Sequence, residues 1–92
     1  MMKNKQYVNG QKTYEQVGDM LTYFFKDGTI KAEGVSINDL MQGEWKFYRE
    51  SGQLWQVGNF KDDKKHGRWI RYDKQGNLEY EETFESGKIK KQ

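Results

Sequence analysis

Gly43-Glu44-Trp45-Lys46-Phe47-Tyr48 returns twenty-four residues later as Gly67-Arg68-Trp69-Ile70-Arg71-Tyr72. Agreement extends outward from this pair without a gap. Gly52-Gln53-Leu54 falls on Gly76-Asn77-Leu78, and Phe60 falls on Phe84. A fainter copy precedes them: Leu21 takes the Trp place, Phe24 the Tyr place, and Gly28, Ile30 and Gly34 match Gly52, Leu54 and Gly58. Asp19 stands where the leading glycine would be. A fixed period of this length marks an array of one supersecondary unit. The units run over about 19–42, 43–66 and 67–90 of a single domain covering 1–92.

Each unit reads as a β-hairpin. Asp27-Gly28, Ser51-Gly52 and Gln75-Gly76 sit between apolar-bearing runs. Asp-Gly suits a type I′ turn, in which both central residues take positive φ, whereas Ser-Gly and Gln-Gly suit a longer turn with Gly left-handed. Asn9-Gly10 suggests a further hairpin at the start. The polar stretch Lys61–Gly67 reads as the connection between units. The expected fold is all-β: a single-layer antiparallel meander of repeated hairpins with a period of about 24 residues and about seven or eight short strands. Residues 12–21 leave one alternative open. Val17, Met20, Leu21 and Phe24 fall at helical spacing, so a short helix over about Thr13–Leu21 competes with strand there. Beyond Asp27 the recurrent glycines exclude helix, since each costs about 1 kcal/mol in a helix interior.

Side chains two apart on a strand share a face. Trp45 and Phe47 then point one way and Tyr48 the other; Leu54 and Phe60 share a face, and Trp55 and Val57 look away from it. The recurring Trp45, Trp69, Leu54, Leu78, Phe60 and Phe84 are the expected core. Gly43 and Gly67 are expected to serve the backbone, by positive φ or by letting an indole lie on bare main chain. Gly34 and Gly58 suggest a bulge or curvature.

Residues that change between copies cannot be what maintains the repeat. Phe47 is replaced by Arg71, and Trp55 by Glu79. Aromatic side chains at such positions are interface anchors by preference. Trp55, Val57 and Phe47 are therefore candidate protein-contact residues. The recurring tyrosines Tyr48 and Tyr72 join them if they form a ligand-facing row, the alternative being a core place with the hydroxyls reaching the rim.

Composition narrows the function classes. Hydrophobic residues make up 34% of the chain and charged ones 33%, so the fourteen aromatics, three Trp, six Tyr and five Phe, must supply most of the buried area. With no Cys there is no disulfide or Cys-ligated metal site. The start lacks an apolar signal-peptide core and no run approaches a membrane span, so a cytoplasmic location is expected. A net charge of +2, without a basic stripe, argues against nucleic acid as the partner. A membrane surface would need Lys12, Lys26, Lys31, Lys46, Arg71 or the basic tail aligned beside exposed aromatics.

Catalytic signals are weak. His66 is the single histidine and lies in a charged connection. Ser51 and Ser86 precede turn glycines, where Ser is an ordinary turn former. The acids Asp62, Asp63, Glu79, Glu81, Glu82 and Glu85 fit no calcium loop, and no phosphate loop is present. No enzyme, metal or cofactor is expected.

Gly43-Glu44-Trp45-Lys46-Phe47-Tyr48 with Gly52-Gln53-Leu54, and their copies in the next unit, resemble MORN-type repeats. They are most similar to the bacterial variant found in the YwqK-like family of toxin–antitoxin antitoxins. The resemblance covers about residues 19–90 and implies an elongated sheet of hairpins, a role in protein contact and neutralisation of a toxin partner. The wider MORN group implies membrane-proximal scaffolding instead. It carries no catalytic residues across. A sheet that does not close leaves edge strands, so a homodimer through an edge or through the Trp55 side is a further expectation.

Overall fold

The computed structural model describes residues 5–90. Among the described residues, nine strands form one antiparallel sheet: β1 (Tyr14–Val17), β2 (Met20–Phe24), β3 (Ile30–Ile37), β4 (Leu40–Tyr48), β5 (Leu54–Lys61), β6 (Lys64–Lys65), β7 (Gly67–Tyr72), β8 (Leu78–Glu85) and β9 (Lys88–Ile89). Each strand pairs with the next in the chain, except that β6 and β7, two pieces of one broken strand, both pair with β5. The sheet does not close: β1 lies at one edge and β8–β9 at the other. Its least dimension, 19 Å, fits a single layer of strands with side chains on both faces.

Two kinds of turn alternate. At one end of the sheet lie five-residue turns, Phe25–Thr29, Arg49–Gln53 and Asp73–Asn77. Each is closed by an N–H of the first residue donating to the carbonyl of the fifth, at 2.8 Å in all three. Gly28, Gly52 and Gly76 take the left-handed position, with φ of 90°, 91° and 85°. The type I′ turn expected at Asp27-Gly28 is not formed, because Asp27 does not take positive φ. Instead its carboxylate accepts from the N–H (3.0 Å) and hydroxyl (2.6 Å) of Thr29, a local bond that favours the longer turn. The same closure occurs at Tyr7–Gln11, where a single bridge, Gln6 to Lys12, replaces the strand pair expected around Asn9-Gly10.

At the other end are tight two-residue turns. Asn38-Asp39, Asp62-Asp63 and Ser86-Gly87 have both residues at positive φ, as type I′ requires. Lys61–Gly67, expected as a bare connection, is therefore itself a hairpin, with Lys61 opposite Lys64 and Phe60 opposite Lys65. The helix considered for Thr13–Leu21 is also replaced by strands. Gly18, at φ 59°, turns β1 into β2, and β3 supplies the backbone partners. The apolar residues at helical spacing do not share a buried face: Leu21 is buried while Val17 is 68% exposed.

The core follows from two superposed contacts. Trp45 lies over Gly34 and Trp69 over Gly58, so close that a Cβ on either glycine would come within 2.4 Å and 2.1 Å of the ring. Each indole Nε1–H donates to a carbonyl of the strand beneath, Val35 at 2.9 Å and Asn59 at 2.8 Å. Bare main chain thus receives the indole at Gly34 and Gly58, the positions expected to mark curvature, whereas Gly43 and Gly67 provide positive φ, at 68° and 87°. Phe60 meets both indoles edge-on, at 6.3 Å from Trp45 and 5.1 Å from Trp69, and Phe84 meets Trp69 at 6.3 Å. Trp45 is completely buried. Leu21 and Ala32 complete the buried cluster around it. Leu54 is only half-buried and Leu78 is 55% exposed, so the two leucines expected in the core stand outside it.

Candidate functional site

The strand pairs carry a register shift of one residue just before each five-residue turn. Tyr23 faces Ala32 but Phe24 faces Ile30; Phe47 faces Gln56 but Tyr48 faces Leu54; Arg71 faces Tyr80 but Tyr72 faces Leu78. Lys31, Trp55 and Glu79 are the extra residues. A bulge re-aims the side chains beside it. This is why Leu54 and Leu78 leave the core row, and why Trp55 does not look away from Trp45 as simple alternation predicts.

Trp55 joins Tyr23, Phe25, Phe47 and Tyr48 around an open hollow, with Ala32, Met41 and Trp45 as its floor. Lys31, Arg49 and Glu50 complete the lining. The rings form a continuous series: Tyr23 to Trp45 at 6.2 Å, Trp45 to Phe47 at 6.3 Å, and Phe47 stacked on Trp69 at 6.0 Å. At the rim the Tyr48 hydroxyl donates to a Glu33 carboxylate oxygen at 2.7 Å, and this bond to the neutral phenol, reinforced by burial, pushes its pKa up to about 12. Burial raises the Tyr23 phenol as well, helped by the negative charge of Asp63.

Cations continue the surface toward β8. The guanidinium of Arg49 lies 5.9 Å and that of Arg71 5.7 Å from the Trp55 ring, and Arg71 also lies 4.7 Å from the ring of Tyr80. One Arg49 Nη donates to the Tyr72 carbonyl at 3.0 Å, while its buried Nε has no partner.

Of the five residues chosen from sequence, Phe47, Tyr48 and Trp55 are brought together here. Tyr72 borders the hollow through the carbonyl that receives Arg49. Val57 is not part of it: it pairs with Lys46 and Ile70, in the row opposite to that of Trp45, Gly34 and Gly58. Tyr23, Phe25 and Arg49 also line the hollow and were not among the residues chosen from sequence. The signal that finds them is the repeat itself. Tyr23, Phe47 and Arg71 occupy one unit position, Phe25, Arg49 and Asp73 another, and Lys31, Trp55 and Glu79 a third. All three positions vary in chemistry, and the structure sets them side by side.

A second, polar crevice is lined by Lys61, Asp62, Lys64, His66 and Ser86. It holds Ser, His and Asp, but no hydrogen bond joins them. The buried His66 Nδ1 has no partner, and Asp62 Oδ1 accepts from the Gln42 amide at 2.6 Å. A triad needs a base bonded to both nucleophile and orienting acid. No group of three or more His, Cys, Asp or Glu fit to hold a metal occurs among the described residues.

Residues 41–62 and 65–86 each match the model of the MORN repeat variant. These two segments are MORN-type repeats. No curated protein and no solved structure matches the chain. Both MORN-type repeats contain one indole seated on the glycine of the preceding return strand, Trp45 on Gly34 and Trp69 on Gly58. The hollow lies where the first of them meets the unmatched unit that precedes it. The indole-on-glycine contact is thus the frame common to both repeats, and Phe47 and Trp55, which the next copy replaces with Arg71 and Glu79, line the hollow.

Proposed function

We propose that this chain is a non-enzymatic protein-binding module whose contact surface is the hollow of Tyr23, Phe25, Phe47, Tyr48 and Trp55. The observation that carries this reading is that Trp55 sits where the next copy holds Glu79. The repeat does not require an aromatic there, yet the bulge brings this one beside Phe47 and Tyr48. An open, ring-lined hollow is the form in which aromatic anchors of an interface act. Resemblance to the antitoxin group makes neutralisation of a toxic partner in a bacterial cytoplasm the specific form of this role: the partner's working surface is masked when it covers the hollow. Display of random peptides to the folded chain tests the reading. Peptides that bind the wild type and lose Trp55→Glu support it, whereas selected peptides that bind both chains equally sink it.

Self-association is the companion reading, favoured by the open edges at β1 and β8–β9, which offer unpaired backbone groups. It predicts a dimer by sedimentation, abolished by a proline in the middle of the edge strand; a monomer at all concentrations contradicts it.

A further inference from the structure

We infer that the partner segment received by this hollow is acidic: an extended peptide whose carboxylates meet Arg49, Arg71 and Lys31 while an apolar side chain enters among the rings. The inference rests on the protein-binding reading and deepens it. Among the described residues, the only ion pairs are Lys12–Glu15 and Arg68–Glu81. Arg49, Arg71 and Lys31 therefore have no carboxylate partner. They are held instead by neutral groups. Lys31 Nζ lies 5.8 Å from the Phe25 ring, and Arg71 lies between Trp55 and Tyr80, with its Nε donating to Gln56 Oε1 at 3.4 Å. Arg49 is anchored by one carbonyl and keeps a buried Nε without an acceptor.

Such cations are pre-positioned but uncompensated. Stacking on a ring face holds a guanidinium plane while leaving its N–H edge free to donate. Ordering an Arg side chain normally costs binding energy, and here the rings have already ordered it. A carboxylate arriving at that edge gains charge-assisted hydrogen bonds beside an apolar floor, where they are stronger than in open water. Glu50 is the one acid in the lining and Glu33, at the rim, is engaged by the Tyr48 hydroxyl, against Lys31 and Arg49 within the hollow and Arg71 behind Trp55. The repeat register sharpens the point, because Arg71 takes the place of Phe47 and Tyr23, and Arg49 the place of Phe25. Cations therefore replace rings on the side of the hollow toward β8. A bilayer presents its charges on a plane and cannot follow a hollow. Two guanidiniums beside Trp55 and one ammonium beside Phe25 also make no track for a nucleic-acid backbone.

Fluorescence anisotropy of the full chain with a labelled peptide, Asp and Glu flanking a central Phe-Leu pair, tests this directly. Its Asn/Gln counterpart serves as the uncharged control, with phosphatidylserine vesicles and oligothymidine as competitors. The acidic peptide is expected to bind, and its uncharged counterpart to bind roughly tenfold more weakly. Arg71→Gln and Lys31→Gln are expected to weaken the acidic peptide and leave the uncharged one unchanged. Arg68→Gln, on the residue paired with Glu81, is expected to change neither. Circular dichroism of each variant separates lost binding from lost fold. Equal binding of both peptides, with loss in Trp55→Glu, overturns the acidic partner but leaves the protein-binding reading standing. Binding that survives Trp55→Glu overturns both. Failure of the acidic peptide to bind, or its displacement by vesicles or oligothymidine at lower concentration than by unlabelled peptide, also overturns the acidic partner.

Discussion

A residue without a side chain decides how this sheet packs. Gly34 and Gly58 have ordinary backbone angles; what they supply is the absence of a Cβ beneath an indole. Gly34→Ala must push Trp45 off β3 and disturb its bond to Val35, at a cost of about 3 kcal/mol. Gly76→Ala meets open space and strains only its left-handed backbone, at about 1 kcal/mol. Chemical denaturation of the two variants should show that order, and the reverse order would contradict the packing account. Tyr48 gives a second prediction at this scale. Its phenol is raised in the folded chain, so its contribution to stability is complete below the ordinary tyrosine value near 10. It is lost as pH rises through about 12. In Tyr48→Phe, the fall of the unfolding midpoint across that alkaline window should be smaller than in the wild type. The recurring Gly-x-Trp made the indole positions legible in sequence. Which glycine lay under them was not legible, because the contact joins residues eleven apart on different strands, and spacing alone does not give register.

Turns and bulges set the face that each strand presents. Two-residue alternation held for Trp45, Phe47 and Phe60, then failed at Leu54, Trp55 and Leu78, because one extra residue enters each return strand just after its turn. Nothing in the local sequence announces that residue: Lys31, Trp55 and Glu79 share no chemistry. The hairpins themselves were legible from their glycines. The tight turns were not, since Asp62-Asp63 and Asn38-Asp39 reach positive φ without one. Asp39→Gly should therefore stabilise the chain by about 0.5–1 kcal/mol, creating the favoured Asn-Gly pair. Asp63→Gly should gain nothing, because the Asp63 carboxylate accepts the Met41 N–H at 2.8 Å. Thermal unfolding of the pair distinguishes the two turns. Lys65 shows the same economy of position: its Nζ lies over Trp69 at 4.6 Å and Phe84 at 4.9 Å, where the preceding copy uses Met41 beside Trp45.

Across the molecule, positions that repeat build the frame and positions that vary build the surface. The Trp, Gly and Phe positions carry one core from hairpin to hairpin in a single-layer sheet, which has no second layer to cover it. At the unit positions of Tyr23, Phe47 and Arg71, and of Lys31, Trp55 and Glu79, the repeat tolerates a change of chemistry. Tyr23 and Phe47 there flank the core, and with Lys31 and Trp55 they line the hollow. Phe47 and Trp55 were legible as candidates because neighbouring copies could be compared; Tyr48 recurs as Tyr72 and is not marked out in that way. Val57 was misplaced with them because strand parity was carried through the bulge. The division between frame and surface is tested most directly by the equilibrium unfolding free energy of Gly58→Ala measured beside that of Trp55→Glu. Gly58→Ala should lose about 3 kcal/mol. Trp55→Glu, which installs the residue its own repeat uses at Glu79, should lose less than about 1 kcal/mol. A Trp55→Glu chain that unfolds while Gly58→Ala remains as stable as the wild type would contradict it.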